Sequence, residues 1–216
     1  MAAPASPGMP ARTAADRRGA FAEAAAPASR RAVLGGIGAV AAIARMPEPV
    51  RADEPVDPAR NMLAQPGDLL VAFKNDGAGA IINPADVKRN AQPLLAWPFD
   101  PAKKLARDGS RLGLIVLMAF DPASLSAAER ARAAAGIVAY SSVCTHMACW
   151  VTDWLNSKQV LQCLCHQSEY DPRQGGRVVS GPAPRPLPAL PLRIAEGRLE
   201  VKESFTDRVG GSKVTG

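Results

Sequence analysis

The four cysteines and two histidines of this chain all fall between Cys144 and His166, and the rest of its 216 residues contains neither. The window reads Cys144-Thr-His146-Met-Ala-Cys149, then, after thirteen intervening residues, Cys163-Leu-Cys165-His166-Gln-Ser168-Glu-Tyr170-Asp171. Thiolates and imidazoles are the ligands of soft and borderline metals, and the Cys-x-His and Cys-x-x-His elements offer two of each. A second haem, copper or zinc site would need ligands from elsewhere. A Cys–His or Ser–His nucleophilic centre would have to borrow its histidine from this window. A zinc site of two Cys and two His accounts for four residues and leaves two cysteines without a role. Two disulfides leave both histidines unexplained.

Cys-Thr-His-x-x-Cys followed by Cys-x-Cys-His-x-Ser-x-Tyr-Asp closely resembles the Rieske iron-sulfur proteins, as does Gly181-Pro182-Ala183-Pro184 downstream. The resemblance is specific over about residues 136–200 and weaker over 67–135. It implies one 2Fe-2S cluster with Cys144 and Cys163 on one iron and His146 and His166 on the other. It also implies a Cys149–Cys165 disulfide tying the two ligand loops, with residues 181–184 covering the cluster's third side. This assignment leaves none of the six residues over. Within the family, residues 137–141 before the first motif look like the small subunit of arsenite oxidase. Ser168 and Tyr170 together look like the Rieske subunit of cytochrome bc-type complexes. Three residues depart from the family pattern: Ala148 stands for a usual Gly, Leu164 for a usual Pro and Gln167 for a usual Gly.

Imidazoles on one iron make such a cluster less negative than an all-cysteine one, which places its potential between about −150 and +300 mV. Ser168 and Tyr170 match family positions that donate hydrogen bonds to cluster or ligand sulfur. Such bonds stabilise the reduced state and imply the upper part of that range. Ligated histidine is more acidic on ferric than on ferrous iron, so the midpoint is expected to fall with pH in the alkaline range. Met147 and Gln167 are expected on a docking rim. Trp150 and Trp154 are expected to pack in the core or at an interface.

The implied role is that of an electron-transfer subunit, not an enzyme by itself. Its expected partners are a large catalytic oxidoreductase subunit (arsenite-oxidase-like, of the molybdopterin kind) or cytochrome b/c1-type subunits, with a cytochrome c or cupredoxin as acceptor. A terminal oxygenase would need a second iron held by two histidines and a carboxylate, and both histidines are already committed.

The elements that must position these residues are short and mainly β. Strands are expected at 69–73, 94–97 (closed by Pro98), 112–120, 137–140, 160–162, 177–179 and on either side of Glu196-Gly197, a hairpin signal. Ser126-Ala-Ala-Glu129 has capping-box spacing and opens a short helix to about Ala135. Lys103, Lys104, Arg107 and Arg111 have roughly helical spacing and read as a solvated face. The expected architecture is a small antiparallel β-sandwich or barrel of about eight strands with one or two short helices, carrying a cluster-binding subdomain of two loops. It spans residues 67–205, with cluster-binding loops at 141–184, a linker at 53–66 and a tail at 206–216.

The net charge of +6 comes mainly from Arg12, Arg17, Arg18, Arg30, Arg31 and Arg45, opposed in that stretch by Asp16 and Glu23 alone. The remainder is nearly neutral, which argues against a nucleic-acid partner. Arg30-Arg31 precede a weakly apolar run from Ala32 to Ala44, well short of the roughly 20 residues a membrane span needs. Residues 1–52 resemble a twin-arginine export signal, the route taken by folded, cofactor-loaded proteins. That implies a periplasmic location, with retention as a short anchor as the variant.

Overall fold

The computed structural model describes residues 57–75 and 77–211; the stretch expected to be a twin-arginine leader and the end of the expected tail lie outside them. Twelve strands, one α-helix and five short 3-10 helices make up the described chain, and every strand pairing is antiparallel.

The larger sheet contains β1 (Leu69–Lys74), β2 (Gly77–Ile81), β3 (Leu94–Asp100), β4 (Leu105–Ala106), β5 (Ile115–Ala119), β6 (Ile137–Ser141), β11 (Leu192–Ala195) and β12 (Arg198–Val201). Its main path runs β11-β12-β1-β3-β5-β6, with β2 added to β1 and β4 to β3. The residues just before β11 return to β6, where Leu190 N donates to Ala139 O (2.8 Å) and Ser141 N to Pro188 O (2.9 Å). These bonds nearly close the sheet into a barrel, which removes most of its exposed edge. β5 and β6 are buried along their whole length because both are continuous apolar runs, as a strand covered on both faces must be. Leu70, Ile115, Leu117, Ala139, Leu190 and Leu199 fill the barrel interior.

The smaller sheet contains β7 (Asp153–Leu155), β8 (Val160–Cys163), β9 (Ser168–Asp171) and β10 (Arg177–Ser180), in the order β10-β9-β8-β7. It packs on the outer face of β5 and β6, where Val116, Met118, Val138 and Tyr140 meet Trp154, Leu161 and Tyr170. Tyr140 is the joint between the sheets. Its hydroxyl lies 2.5 Å from Glu129 Oε2 and 2.6 Å from Pro172 O, both in buried surroundings. Burial, and then the neighbouring Glu129 carboxylate, push its phenol well above the usual tyrosine range.

Several expectations are corrected. β3 runs through Pro98 instead of ending there. The Pro98 carbonyl accepts from Arg107 N (2.8 Å), so the missing N–H falls on the same edge, between the β5 and β4 registers, where no ladder bond is lost. Arg107 is no solvated residue: it is buried, with two bonds to the Asp68 carboxylate (2.7 and 3.1 Å), one to Asp100 (3.1 Å) and one to Ala59 O (3.2 Å). The Asp68 bond, followed by the charges of Asp68 and Asp100, holds its guanidinium pKa above the ordinary value.

The helix α1 (Ala127–Arg132) is capped by Ser126, whose hydroxyl accepts from Glu129 N (3.3 Å), but stops short of Ala135. Ala135 and Gly136 both take positive φ there, turning the chain into β6. Part of the expected linker is ordered, since residues 58–61 form a 3-10 helix against the barrel. Among the described residues, no helix is long and apolar enough to cross a membrane.

Candidate metal centre

Two loops project from the same end of the smaller sheet. Loop 1 (residues 144–149) joins β6 to β7, and loop 2 (residues 163–168) joins β8 to β9. Both are the same turn. Ala148 N donates to Cys144 O (3.0 Å) and Gln167 N to Cys163 O (2.8 Å), each bond spanning four residues. The fifth residue of each turn is left-handed, with φ of 57° at both Ala148 and Gln167. These are the two positions where the family pattern has Gly, and the backbone explains that preference. A side chain there costs about 1 kcal/mol.

The turns bring the six window residues together. Cys149 and Cys165 form a disulfide joining the loops, while Cys144 and Cys163 remain free thiols, only 2% and 1% exposed. The Cys163 sulfur lies within 4.8 Å of both disulfide sulfurs. His146 and His166 face each other edge-on, ring centroids 4.7 Å apart. His146 is half-buried, and its Nδ1 is buried without any hydrogen-bond partner. His166 is exposed.

This donor set fits a 2Fe-2S group of mixed ligation. Burial is the largest influence pushing the Cys163 thiol pKa up, and the adjacent Cys144 pushes it further, against backbone N–H bonds from Cys165 and His166. Two neighbouring buried thiols ionise readily only if a cation compensates them, and a bound iron does so. An unpartnered buried imidazole nitrogen is costly in protein alone and satisfied by a metal.

The surroundings address the sulfurs. The Tyr170 hydroxyl lies 3.2 Å from Cys144 Sγ and accepts from Thr145 N (3.3 Å). Burial, then the bond to Cys144, raise the Tyr170 pKa, keeping the hydroxyl protonated as a donor. Ser168 Oγ accepts from Ala183 N (3.2 Å), and among the described residues its own proton has no acceptor. Gly181 has φ of +88°, and a Cβ there would fall 2.5 Å from Ser168 Cα, so only glycine lets residues 181–184 close on loop 2.

Other residues around the site have distinct surroundings. Thr145, which sequence reasoning passed over between two ligand candidates, is fully buried, and its Oγ1 donates to Arg185 O (2.7 Å). Met147 is 56% exposed, Leu164 is 64% exposed and Gln167 is exposed as well; Leu164 lies beside His166 in loop 2. Trp154 is buried against Phe120, whereas Trp150 sits at the surface against Phe73 with the Arg111 guanidinium over its ring.

Residues 127–191 match the Rieske [2Fe-2S] domain family. A cytochrome bc1 complex Rieske iron-sulfur subunit of Streptomyces lividans is 42% identical over 76 residues, 35% of this chain and 45% of the relative. A putative respiratory nitrate reductase subunit Rieske of Haloferax mediterranei is 43% identical over 77 residues, 35% of this chain and 34% of the relative. The chain thus spans less than half the length of these relatives. Among solved structures, the cyanobacterial plasma membrane Rieske protein of Synechocystis shares 24% identity, with a TM-score of 0.36 over 56% of this chain and 94% of that one. Paired Cys and His loops, a disulfide between them and the matching sequence span agree: the chain carries a Rieske [2Fe-2S] domain, of the family that binds one 2Fe-2S cluster.

Proposed function

We propose that this chain is an exported electron-transfer subunit in which Cys144 and Cys163 ligate one iron of the cluster and His146 and His166 the other. The observation that carries the reading is the convergence of two buried free thiols and two facing imidazoles, one with an unpartnered buried nitrogen, on paired loops. The bound cluster supplies one-electron transfer at a potential raised by imidazole ligation. Tyr170 donates to the Cys144 sulfur and Ser168 has a free proton for a sulfide, so both favour the reduced state. His166 is the exposed ring, and with Met147, Leu164 and Gln167 it forms the contact face for a redox partner.

The donor is a large catalytic oxidoreductase subunit of the arsenite-oxidase kind, and the acceptor a cytochrome c or cupredoxin. Residues 1–52, read as a twin-arginine signal, support a periplasmic location, with or without retention at the inner membrane. A second reading is favoured by a specific observation. Ser168 and Tyr170 occur together, Tyr170 reaches the Cys144 sulfur, and relatives named as cytochrome bc1 and b6-f subunits match at 32–42% identity, which supports a subunit of a quinol-oxidising complex.

Purification of the native complex separates these readings. A molybdenum-containing large subunit is expected, with a visible iron-sulfur spectrum and a midpoint in the upper part of the range of about −150 to +300 mV. A cytochrome b partner would overturn the arsenite-oxidase-like reading. A colourless, zinc-containing protein would overturn the electron-transfer role altogether.

A further inference from the structure

Residues 206–211 do not trail away from the domain as a tail; they run along it and end against loop 1. The segment leaves the core at Phe205, which packs against the barrel residues. Thr206 then pairs with Ala189 through two bonds of 2.9 Å, its N donating to Ala189 O and its Oγ1 accepting from Ala189 N. Arg185 reaches the segment twice, donating to Asp207 Oδ2 (3.2 Å) and to Gly210 O (2.6 Å). Arg208 donates to Gly211 O (2.9 Å), and Gly210 is buried beside Leu112. At the far end, a Cβ on Gly211 would fall 2.7 Å from His146 O and 3.1 Å from Ala148 N. Gly211 does not have the left-handed backbone that would itself ask for glycine, so the close approach to loop 1 is what restricts this position.

Arg185 also faces the site from its other side. Its carbonyl accepts from Thr145 Oγ1, and Thr145 N donates to the hydroxyl that bonds Cys144 Sγ. One residue therefore links the proline-rich loop, the ligand loop and the C-terminal segment. Loop 2 is held differently: residues 164–167 are all exposed, and its restraints include the disulfide and its own turn. It is also contacted at its far end, where Gly181 and Ala183 close on Gln167 and Ser168, leaving the His166 backbone without a strap of this kind among the described residues.

We propose that residues 206–211 are a positioning strap, tied by Arg185, that holds the backbone of His146 and so fixes the orientation of that ring and the retention of the cluster. The strap touches the ligand's backbone and not the cluster, so Arg185 and Gly211 are positioning residues. The proposal rests on the cluster at this site and is independent of which redox partner the protein serves.

The test uses the cluster-loaded full chain beside variants lacking residues 208–216 or 212–216, together with Gly211→Ala, Arg185→Ala and Arg185→Lys. Removing 208–216 leaves Phe205 and Thr206 in place. Cluster bleaching by a chelator is expected to accelerate about tenfold, the usual scale for losing an outer support of a metal ligand. The electron paramagnetic resonance g-values of the reduced cluster are expected to shift in the same variant. Gly211→Ala should shift those g-values too, and removal of 212–216 alone should leave both readouts at the full-chain values. Arg185→Lys, which keeps the charge facing Asp207, should recover part of what Arg185→Ala loses. Unchanged bleaching and g-values without 208–216 would overturn the proposal. Faster bleaching that merely tracks a lower far-ultraviolet melting temperature, with g-values unchanged, would overturn it as well.

Discussion

Loop 1 and loop 2 are one turn built twice and then treated differently. Each begins with a buried free cysteine, spans four residues to a backbone bond and ends on a left-handed residue that is not glycine. Loop 1 is held from several directions: Thr145 by Arg185, Ala148 O by Arg111 (2.6 Å), and residues 146–148 by the segment ending at Gly211. Loop 2 exposes Leu164, Cys165, His166 and Gln167 in succession. The turn sets the backbone in both, and the context decides which histidine is braced and which is presented. A redox protein needs both: a fixed geometry, so that little reorganises on electron transfer, and an exposed edge, so that a partner can approach.

The largest expected effect comes from cutting the covalent tie between the loops. A disulfide closing a loop of this size contributes about 3 kcal/mol. Paired Cys149→Ser and Cys165→Ser substitutions should lower stability by that order in urea unfolding. Amide exchange should then rise more in loop 2, which keeps fewer restraints, than in loop 1. Equal loosening of both loops would break the comparison.

Next is Tyr140, on the strand that feeds loop 1. Losing a buried hydroxyl that faces Glu129 and Pro172 O costs about 2 kcal/mol, so Tyr140→Phe should destabilise by that amount. The pH dependence follows from the raised phenol pKa. The stabilisation is fully present below the unfolded tyrosine value of about 10 and is lost as pH rises through the higher folded value. Burial and the Glu129 carboxylate, followed by Asp171, act in that direction, and Arg132 opposes them. Urea titrations at increasing alkaline pH should show a falling limb that Tyr140→Phe flattens.

A smaller effect is expected at Tyr170, whose hydroxyl crosses from β9 to loop 1. If its bond to the Cys144 sulfur favours the reduced state by about 1 kcal/mol, Tyr170→Phe lowers a one-electron midpoint by about 40 mV. Protein-film voltammetry reads this directly, and an unchanged midpoint would show that the bond is equally strong in both redox states.

The smallest effects are gains. Ala148→Gly and Gln167→Gly each relieve a left-handed residue at some cost in unfolded-chain entropy, for a net stabilisation of about 0.5 kcal/mol. Thermal melting of the single and double variants should show similar, additive increments, since the turns are alike. A gain at only one loop would separate them.

The site was far more legible in the sequence than the frame around it. Six soft ligands in one window admit few chemistries, and Ser168, Tyr170 and Gly181 stood at motif positions that the fold brings to the two loops. Strands of continuous apolar character, such as β5 and β6, announced themselves. β2 did not, because Gly77-Ala-Gly-Ala-Ile81 has neither alternation nor β-branched side chains at most positions and becomes a strand only by pairing with β1. β9 was hidden because the ligand motif and the strand are the same residues. Arg107 looked solvated because its partners Asp68 and Asp100 come from two other strands or their approaches, and no local spacing reports that. The role of residues 206–211 was equally silent, since it depends on a contact across more than sixty residues of chain that requires only an absent side chain at Gly211.

The central claim is the ligand set, two thiolates and two imidazoles on one 2Fe-2S cluster. Nitrogen-15 labelling of histidine followed by electron–nuclear double resonance on the reduced protein tests it most directly. The account predicts hyperfine coupling to two histidine nitrogens, with one coupling lost when His166 alone is replaced by cysteine and the other retained. A cluster without histidine coupling, or zinc in place of iron, would contradict it.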